Sequence, residues 1–211
     1  MTPTTKTNSG PDLAAVLQHA ITELAKVIAS KPESDKLLAE MVRLSGQALR
    51  GGGAGVWVTE TLDKPELILE HNLVGLQLMM NGAPIAGVTA AVRRCAREAK
   101  PLIVPAFFMD GENADTPMNP SPYALLFVPL KMHARVSLVM AMAVQPPPAD
   151  DTRLIRTYLN FLTRMVGSIE QTLAERHLSL IEKDRGQASK LVRFADQVHK
   201  HLFLGQVAVD I

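Results

Sequence analysis

Apolar residues change their spacing several times along this chain, and each spacing predicts a type of element. From Asp12 to Ile28 they recur at steps of three and four residues, which is the period of an amphipathic helix. The same period returns from Leu37 to Leu49 and ends at three glycines, residues 51–53. We therefore predict two N-terminal helices.

Shorter apolar runs in the first half of the chain predict β-strands. Residues 55–60 and 66–73 predict an antiparallel hairpin, in which Leu67, Leu69 and Leu73 share one face. A turn is also expected where Asn and Gly follow two methionines, at positions 81 and 82.

Three further strands are predicted over residues 101–107, 123–130 and 135–144. The first of them is apolar on both faces, so we expect it at the centre of the sheet. A helix over residues 87–100 precedes it and has Cys95 on its inner side. A buried, unreactive thiol is the expected state of that cysteine.

A 3.5-residue repeat follows the strands and predicts a long helix capped by Asp150 or Asp151. Its apolar positions advance by four and three residues in turn, and they are Ile155, Leu159, Leu162, Val166, Ile169 and Leu173. We expect the first half of this helix to pack on the sheet. The later half is expected to project. All six residues are candidates for the contact between two copies in a homodimer, whose helices could run parallel or antiparallel. We call these six residues the seam.

Composition and charge argue against several classes of function. Lys+Arg of 22 against Asp+Glu of 21 gives a formal charge of +1, which does not favour a nucleic-acid surface. Arg93, Arg94 and Arg97 are interpreted as a solvated helix face. One cysteine suits a reducing compartment, and we see neither a signal peptide nor a membrane-spanning run. We predict a cytoplasmic protein without direct membrane insertion.

Several of these segments, taken in order, resemble the GAF family of regulatory domains. The resemblance is carried by Lys100-Pro101-Leu102-Ile103-Val104 after a helix, by Leu126-Phe127-Val128-Pro129-Leu130, by the strand over 135–144 and by the closing helix. It implies an α+β fold of the PAS or profilin type. Such a fold has a central antiparallel sheet of five to six strands, flanking helices and long helices at both ends. Ser137 stands where the family often has glycine.

The resemblance also implies a domain organisation. We expect a disordered segment over 1–10, an N-terminal helix over 11–32 and the GAF-like domain over 33–174. A linker helix over 175–211 is expected to lead into a further effector domain. The arrangement is similar to bacterial proteins that place GAF domains ahead of a membrane-fusion or secretion-adaptor region.

GAF domains imply a ligand pocket between the sheet, the helix over 87–100 and the loop over 109–122. Its lining residues are expected to be Trp57, Phe107, Met109, Tyr123 and Phe127. Plain core packing is the alternative for all five residues. The cyclic-nucleotide and bilin signatures of the family are missing, and the six histidines are scattered. We therefore expect neither a cofactor nor a metal.

Two functions remain open from the sequence. The first is a non-catalytic sensory domain that binds a small molecule or a partner and transmits a change through its terminal helices. The second is a structural interaction module with a filled core and no ligand. An enzyme is not expected, because no nucleophile, base or paired carboxylates stand in a recognisable motif.

Overall fold

The computed structural model describes residues 12–109, 116–132, 135–146 and 153–175. Its helices and strands, in chain order, are α1 (Leu13–Ala29), α2 (Ser34–Leu49), β1 (Gly53–Val58), β2 (Glu66–His71), β3 (Met79–Met80), β4 (Ala83–Pro84), α3 (Ala86–Glu98), β5 (Leu102–Val104), β6 (Ala124–Met132), β7 (Arg135–Val144) and α4 (153–175).

Five of the strands form one antiparallel sheet in the order β2-β1-β7-β6-β5. The α+β architecture with a central antiparallel sheet is therefore confirmed. The predicted central place of the strand over 101–107 is wrong, because β5 lies at the edge of the sheet. β5 is apolar on both faces because helices cover both faces of the sheet. Leu102 and Val104 pack towards α3, while Ile103 points to the other side.

Successive side chains of the strands point to opposite faces of the sheet and form two apolar layers. Val56 on β1 stands opposite Met140 on β7, and both are buried beside α2. The neighbouring pair on these strands, Trp57 and Val139, points to the opposite face and packs beneath α3. The helices α1, α2 and α4 thus occupy one face of the sheet, and α3 occupies the other.

The run of three glycines ends α2 and begins β1. Arg50 takes a left-handed conformation with φ of +50°, and its backbone N–H returns to the carbonyls of Gln47 and Gly46. A Cβ on Gly53 would lie only 2.9 Å from the His71 carbonyl of β2. Glycine is needed there because the neighbouring strand approaches so closely.

The predicted hairpin of β1 and β2 is confirmed, but its facing pattern is wrong. Leu69 lies opposite Val56, whereas Leu67 lies opposite Trp57, because the register shifts by one residue between them. This β-bulge sends Leu67 and Leu69 to opposite faces of the sheet. The shift leaves Ile68 48% exposed on the edge strand.

The expected turn at Asn81-Gly82 is also confirmed. It joins the two short strands β3 and β4, and both of its residues have positive φ, +53° for Asn81 and +79° for Gly82. Asparagine and glycine tolerate that conformation better than other residues, which is the reason this dipeptide signals a hairpin. The predictions for residues 1–10 and for the linker helix beyond 175 lie outside the described residues.

Candidate functional site

The space where the sequence predicts a ligand pocket is occupied by a cluster of buried apolar side chains. We call it the sheet–helix cluster, because it lies between α3 and the facing side of the sheet. Its members are 8% exposed or less. They are Trp57, Leu73, Leu76, Leu78, Val88, Ala91, Val92, Cys95, Ala96, Val104, Leu125, Phe127, Val139, Ala141 and Ala143.

Two of the five predicted lining residues are core residues of this cluster. Trp57 is 1% exposed and Phe127 is 0% exposed, and both are among the largest fully buried side chains. Tyr123 is partly buried and packs against the same cluster. These three aromatic residues are brought together, but as packing and not as the wall of an open pocket.

Glycines of β1 and of the segment before it make room for the aromatic rings. A Cβ on Gly55 would stand 2.5 Å from Cη2 of Trp57 and 3.1 Å from Cδ1 of Leu73. A Cβ on Gly52 would stand 2.7 Å from Cε1 of Tyr123. The rings of Trp57 and Tyr123 therefore lie directly on the glycine backbone, where a side chain at either glycine would collide with them.

The remaining two predicted lining residues lie elsewhere. Phe107 is 68% exposed and Met109 is 61% exposed, so neither belongs to the sheet–helix cluster. The backbone of Phe107 has a left-handed φ of +52°, which is uncommon for an aromatic residue, and its N–H donates to the carbonyl of Ser121 at 3.0 Å.

Asn119 holds the loop before β6 in place through side-chain hydrogen bonds. It is not among the residues predicted from the sequence. Its side chain is 0% exposed, and its amide donates to the carbonyls of Pro105 at 2.8 Å and Tyr123 at 2.6 Å. Its carbonyl oxygen accepts from the N–H of Ser121 at 3.1 Å and from the Ser121 hydroxyl at 2.7 Å. The only signal in the sequence is an Asn-Pro-Ser-Pro turn, which does not reveal burial.

Cys95 lies in the sheet–helix cluster as expected. It is 1% exposed, and its thiol donates to the carbonyl of Lys100 at 3.3 Å. Burial, with a smaller contribution from the negative charge of Glu98, raises the pKa of the Cys95 thiol to about 12. The thiolate that nucleophilic or redox chemistry requires is thus strongly disfavoured.

Most seam residues of α4 are buried against other parts of the same chain. Leu162 and Ile169 are 0% exposed and Val166 is 1% exposed, so these side chains are not available to a second copy. Leu173 is 7% exposed. Ile155 and Leu159, nearer the start of α4, keep partial exposure, and a dimer contact stays a prediction for these two residues.

The described ranges contain neither a cluster suited to a metal ion nor a helix suited to span a membrane. No group of three or more His, Cys, Asp or Glu side chains there could hold a metal ion. None of the described helices has both the length and the apolar character needed to traverse a bilayer.

Comparisons with known proteins rest on structure alone, since no family model and no curated protein matches the sequence. A GAF domain of A. Aeolicus in an inactive state superposes with a TM-score of 0.57 and 11% identity, over 78% of this chain and 99% of its own. A GAF sensor protein of Burkholderia vietnamiensis, described as putative, gives a TM-score of 0.57 and 13% identity, over 82% and 99% of the two chains. The chain has the fold of a GAF domain. A free methionine-R-sulfoxide reductase of Neisseria meningitidis, solved with its substrate, shares this GAF fold with a TM-score of 0.56 and 16% identity, over 80% and 96%.

Proposed function

We propose that this chain is a non-catalytic regulatory domain of the GAF fold, with its interior filled by its own side chains. The observation that carries the proposal is the complete burial of Trp57 and Phe127 in the sheet–helix cluster. A ligand pocket needs open space lined by a few polar groups, whereas this space holds aromatic rings packed on glycine backbone. Signals would therefore reach the domain at its surface and through contacts with other protein segments.

The alternative is a small-molecule sensor with a pocket under α3. The fold is compatible with it, because a structural neighbour is described as a putative GAF sensor protein. Phe107 and Met109 would then have to fold inwards over the cluster, from positions where they are more than 60% exposed. The packing around Trp57 favours the filled interior over this alternative.

The absence of catalysis is supported by the chemistry of the one cysteine. A neighbour with this fold is a methionine-R-sulfoxide reductase, and thiol-based reduction of a sulfoxide proceeds through a reactive thiolate. Here the single cysteine is buried, and its pKa is raised to about 12. A second cysteine to resolve a sulfenic acid is not present in the sequence.

We propose that the surface formed by α1 and α4, called the helical face, binds a second copy of the chain. Two recesses are lined by apolar and polar residues of α1 and α4, and the second of them also by residues at the end of α2. In the recess near the start of α4, Leu13 and Val16 of α1 face Leu154 and Tyr158 of α4, and all four are partly exposed. Ile155 and Leu159 of the seam are partly exposed as well. The downstream effector domain and the cytoplasmic location remain predictions.

The filled interior can be tested with the intrinsic fluorescence of the protein. Trp57 is the single tryptophan, so its emission reports on the sheet–helix cluster alone. We expect a panel of nucleotides, cyclic nucleotides, amino acids and haem precursors to leave the Trp57 emission unchanged. A compound that produces a saturable change in this emission would show a pocket and would support the sensor alternative.

The proposed dimer can be tested by light scattering. We expect the wild-type chain to have the mass of a dimer, and Ile155→Glu combined with Leu159→Glu to have the mass of a monomer. Arg156→Glu is the matched control, because Arg156 is exposed on the same turn and lies outside the seam. The helical-face proposal fails if the wild-type chain is monomeric, or if the double variant keeps the dimer mass.

A further inference from the structure

Three arginines of α3 that looked equivalent in the sequence have different surroundings in the structure. Arg94 donates from Nε to Oε1 of Glu98 at 2.9 Å, and this is an exposed pair on one helix. Arg93 donates to the backbone carbonyl of Asp63 at 2.5 Å. Arg97 is exposed and has no hydrogen bond or ion pair to any residue that the structure describes.

Arg97 stands at a recess beside the last turn of α3. The recess has a volume of about 550 Å³ and is bounded by the segment after β1, the start of β7 and the end of α3. This volume falls in the range of small-molecule sites. Because its lining residues do not belong to the sheet–helix cluster, apart from Ala96 at the contact between them, it is a separate feature of the surface.

The walls of the recess are fixed by hydrogen bonds. Thr59 is 3% exposed, and its N–H donates to the Ser137 carbonyl at 2.9 Å while its hydroxyl donates to the Val136 carbonyl at 3.1 Å. The bond from Arg93 to Asp63 ties the following turn to α3. The segment after β1 is therefore held to β7 on one side and to α3 on the other.

Positive charge dominates this recess. Arg97 and Arg135 both line it, and neither has a hydrogen bond or ion pair within the described part of the chain. Among the described residues of the lining Glu60 is the one acidic side chain, so these residues carry a net charge of +1. A guanidinium binds carboxylate or phosphate oxygens with two parallel hydrogen bonds, which makes an unpaired arginine pair suited to an anion.

Apolar and hydroxyl groups complete the lining. Leu62, which is 43% exposed, stands with Ala96 and Val136 as an apolar surface, and Ser137 lies beside them. We propose that this recess binds a small molecule that carries a carboxylate or phosphate group on an apolar body. The anionic group contacts Arg97 and Arg135, and the apolar body covers Leu62. This site is independent of the proposal that the interior is filled.

The test uses three probes with the same ring: phenyl phosphate, benzoate and uncharged benzyl alcohol. Binding is followed by amide chemical shifts, and we expect saturable changes at Thr59, Arg97 and Ser137 with an anionic probe. Comparing phenyl phosphate with benzoate shows whether the site prefers a phosphate or a carboxylate group. Stronger binding of phenyl phosphate assigns a phosphate ligand, stronger binding of benzoate assigns a carboxylate ligand, and either result supports the anion site.

Variants decide whether the arginine pair is responsible. Arg97→Gln and Arg135→Gln should each weaken binding by about tenfold or more, as the loss of a charge-assisted hydrogen bond implies. Arg94→Gln removes the same charge from the same helix outside the recess, and it should leave the affinity within about twofold. The proposal is overturned if no anionic probe binds, if benzyl alcohol binds equally well, or if Arg94→Gln weakens binding as much as Arg97→Gln.

Discussion

Removing the indole ring of Trp57 is the perturbation that most sharply probes the packing of the interior. The ring is 1% exposed and lies on the backbone of Gly55. Its neighbours in the sheet–helix cluster belong to β5, β6, β7, α3 and the segment between β2 and β3, so they cannot move together to close the gap. Trp57→Ala should therefore leave a cavity between the sheet and α3.

The size of the effect follows from the buried area. A buried tryptophan removes about 200 Å² from water, roughly 150 Å² more than alanine does. At about 25 cal/mol per Å² this difference corresponds to about 4 kcal/mol of lost stability. The value agrees with the range of about 3–5 kcal/mol for aromatic-to-alanine changes in cores. Since domains are stable by about 5–15 kcal/mol, the variant should still fold at low temperature.

The assay is urea unfolding followed by far-ultraviolet circular dichroism, because the variant has lost the single tryptophan. Phe107→Ala is the matched control, since it removes an aromatic ring that is 68% exposed and should change stability by less than about 0.5 kcal/mol. Indole should raise the melting temperature of Trp57→Ala and leave that of the wild-type chain unchanged. A loss below about 1 kcal/mol, or equal stabilisation of both proteins by indole, would refute this reasoning.

Three further predictions concern buried polar groups. Asn119→Ala should lose about 3 kcal/mol in urea unfolding, because four hydrogen bonds of the loop disappear together; a loss under about 1 kcal/mol would show that water replaces them. Ser45→Ala should gain about 1 kcal/mol in the same assay, since the Ser45 hydroxyl is buried on α2 without a partner in the described structure. A destabilised Ser45→Ala would reveal a partner for that hydroxyl. Cys95 should react with a thiol reagent very slowly at neutral pH and rapidly in urea, because its pKa is raised to about 12 by burial; rapid labelling of the folded chain would place the thiol at the surface.

The order of the elements could be predicted from the sequence because local spacing and turn chemistry determine it. The helical periods of α1, α2 and α4 and the turn at Asn81-Gly82 are local signals. The position of β5 at the edge of the sheet is not local, since an apolar strand looks the same wherever both faces are covered. The β-bulge at Ile68 could not be predicted either, because one extra residue in an apolar run does not alter the composition of that run.

The candidate site was harder to predict than the fold. The sequence shows that Trp57 and Phe127 face the sheet interior, but not whether the space before them is open or filled. That difference depends on Gly55, which lets the ring of Trp57 lie on the backbone. The distinct roles of Arg94 and Arg97 likewise depend on which neighbours the fold supplies, so the sequence could only group them as basic helix residues.

Xenon binding tests the filled interior most directly, because the gas enters apolar cavities of modest size without a need for polar recognition. Crystals of the wild-type chain under xenon pressure should show no xenon atom between α3 and the sheet. Crystals of Trp57→Ala treated in the same way should show one beside Gly55, where the ring has been removed. A xenon atom within the sheet–helix cluster of the wild-type chain would contradict the account.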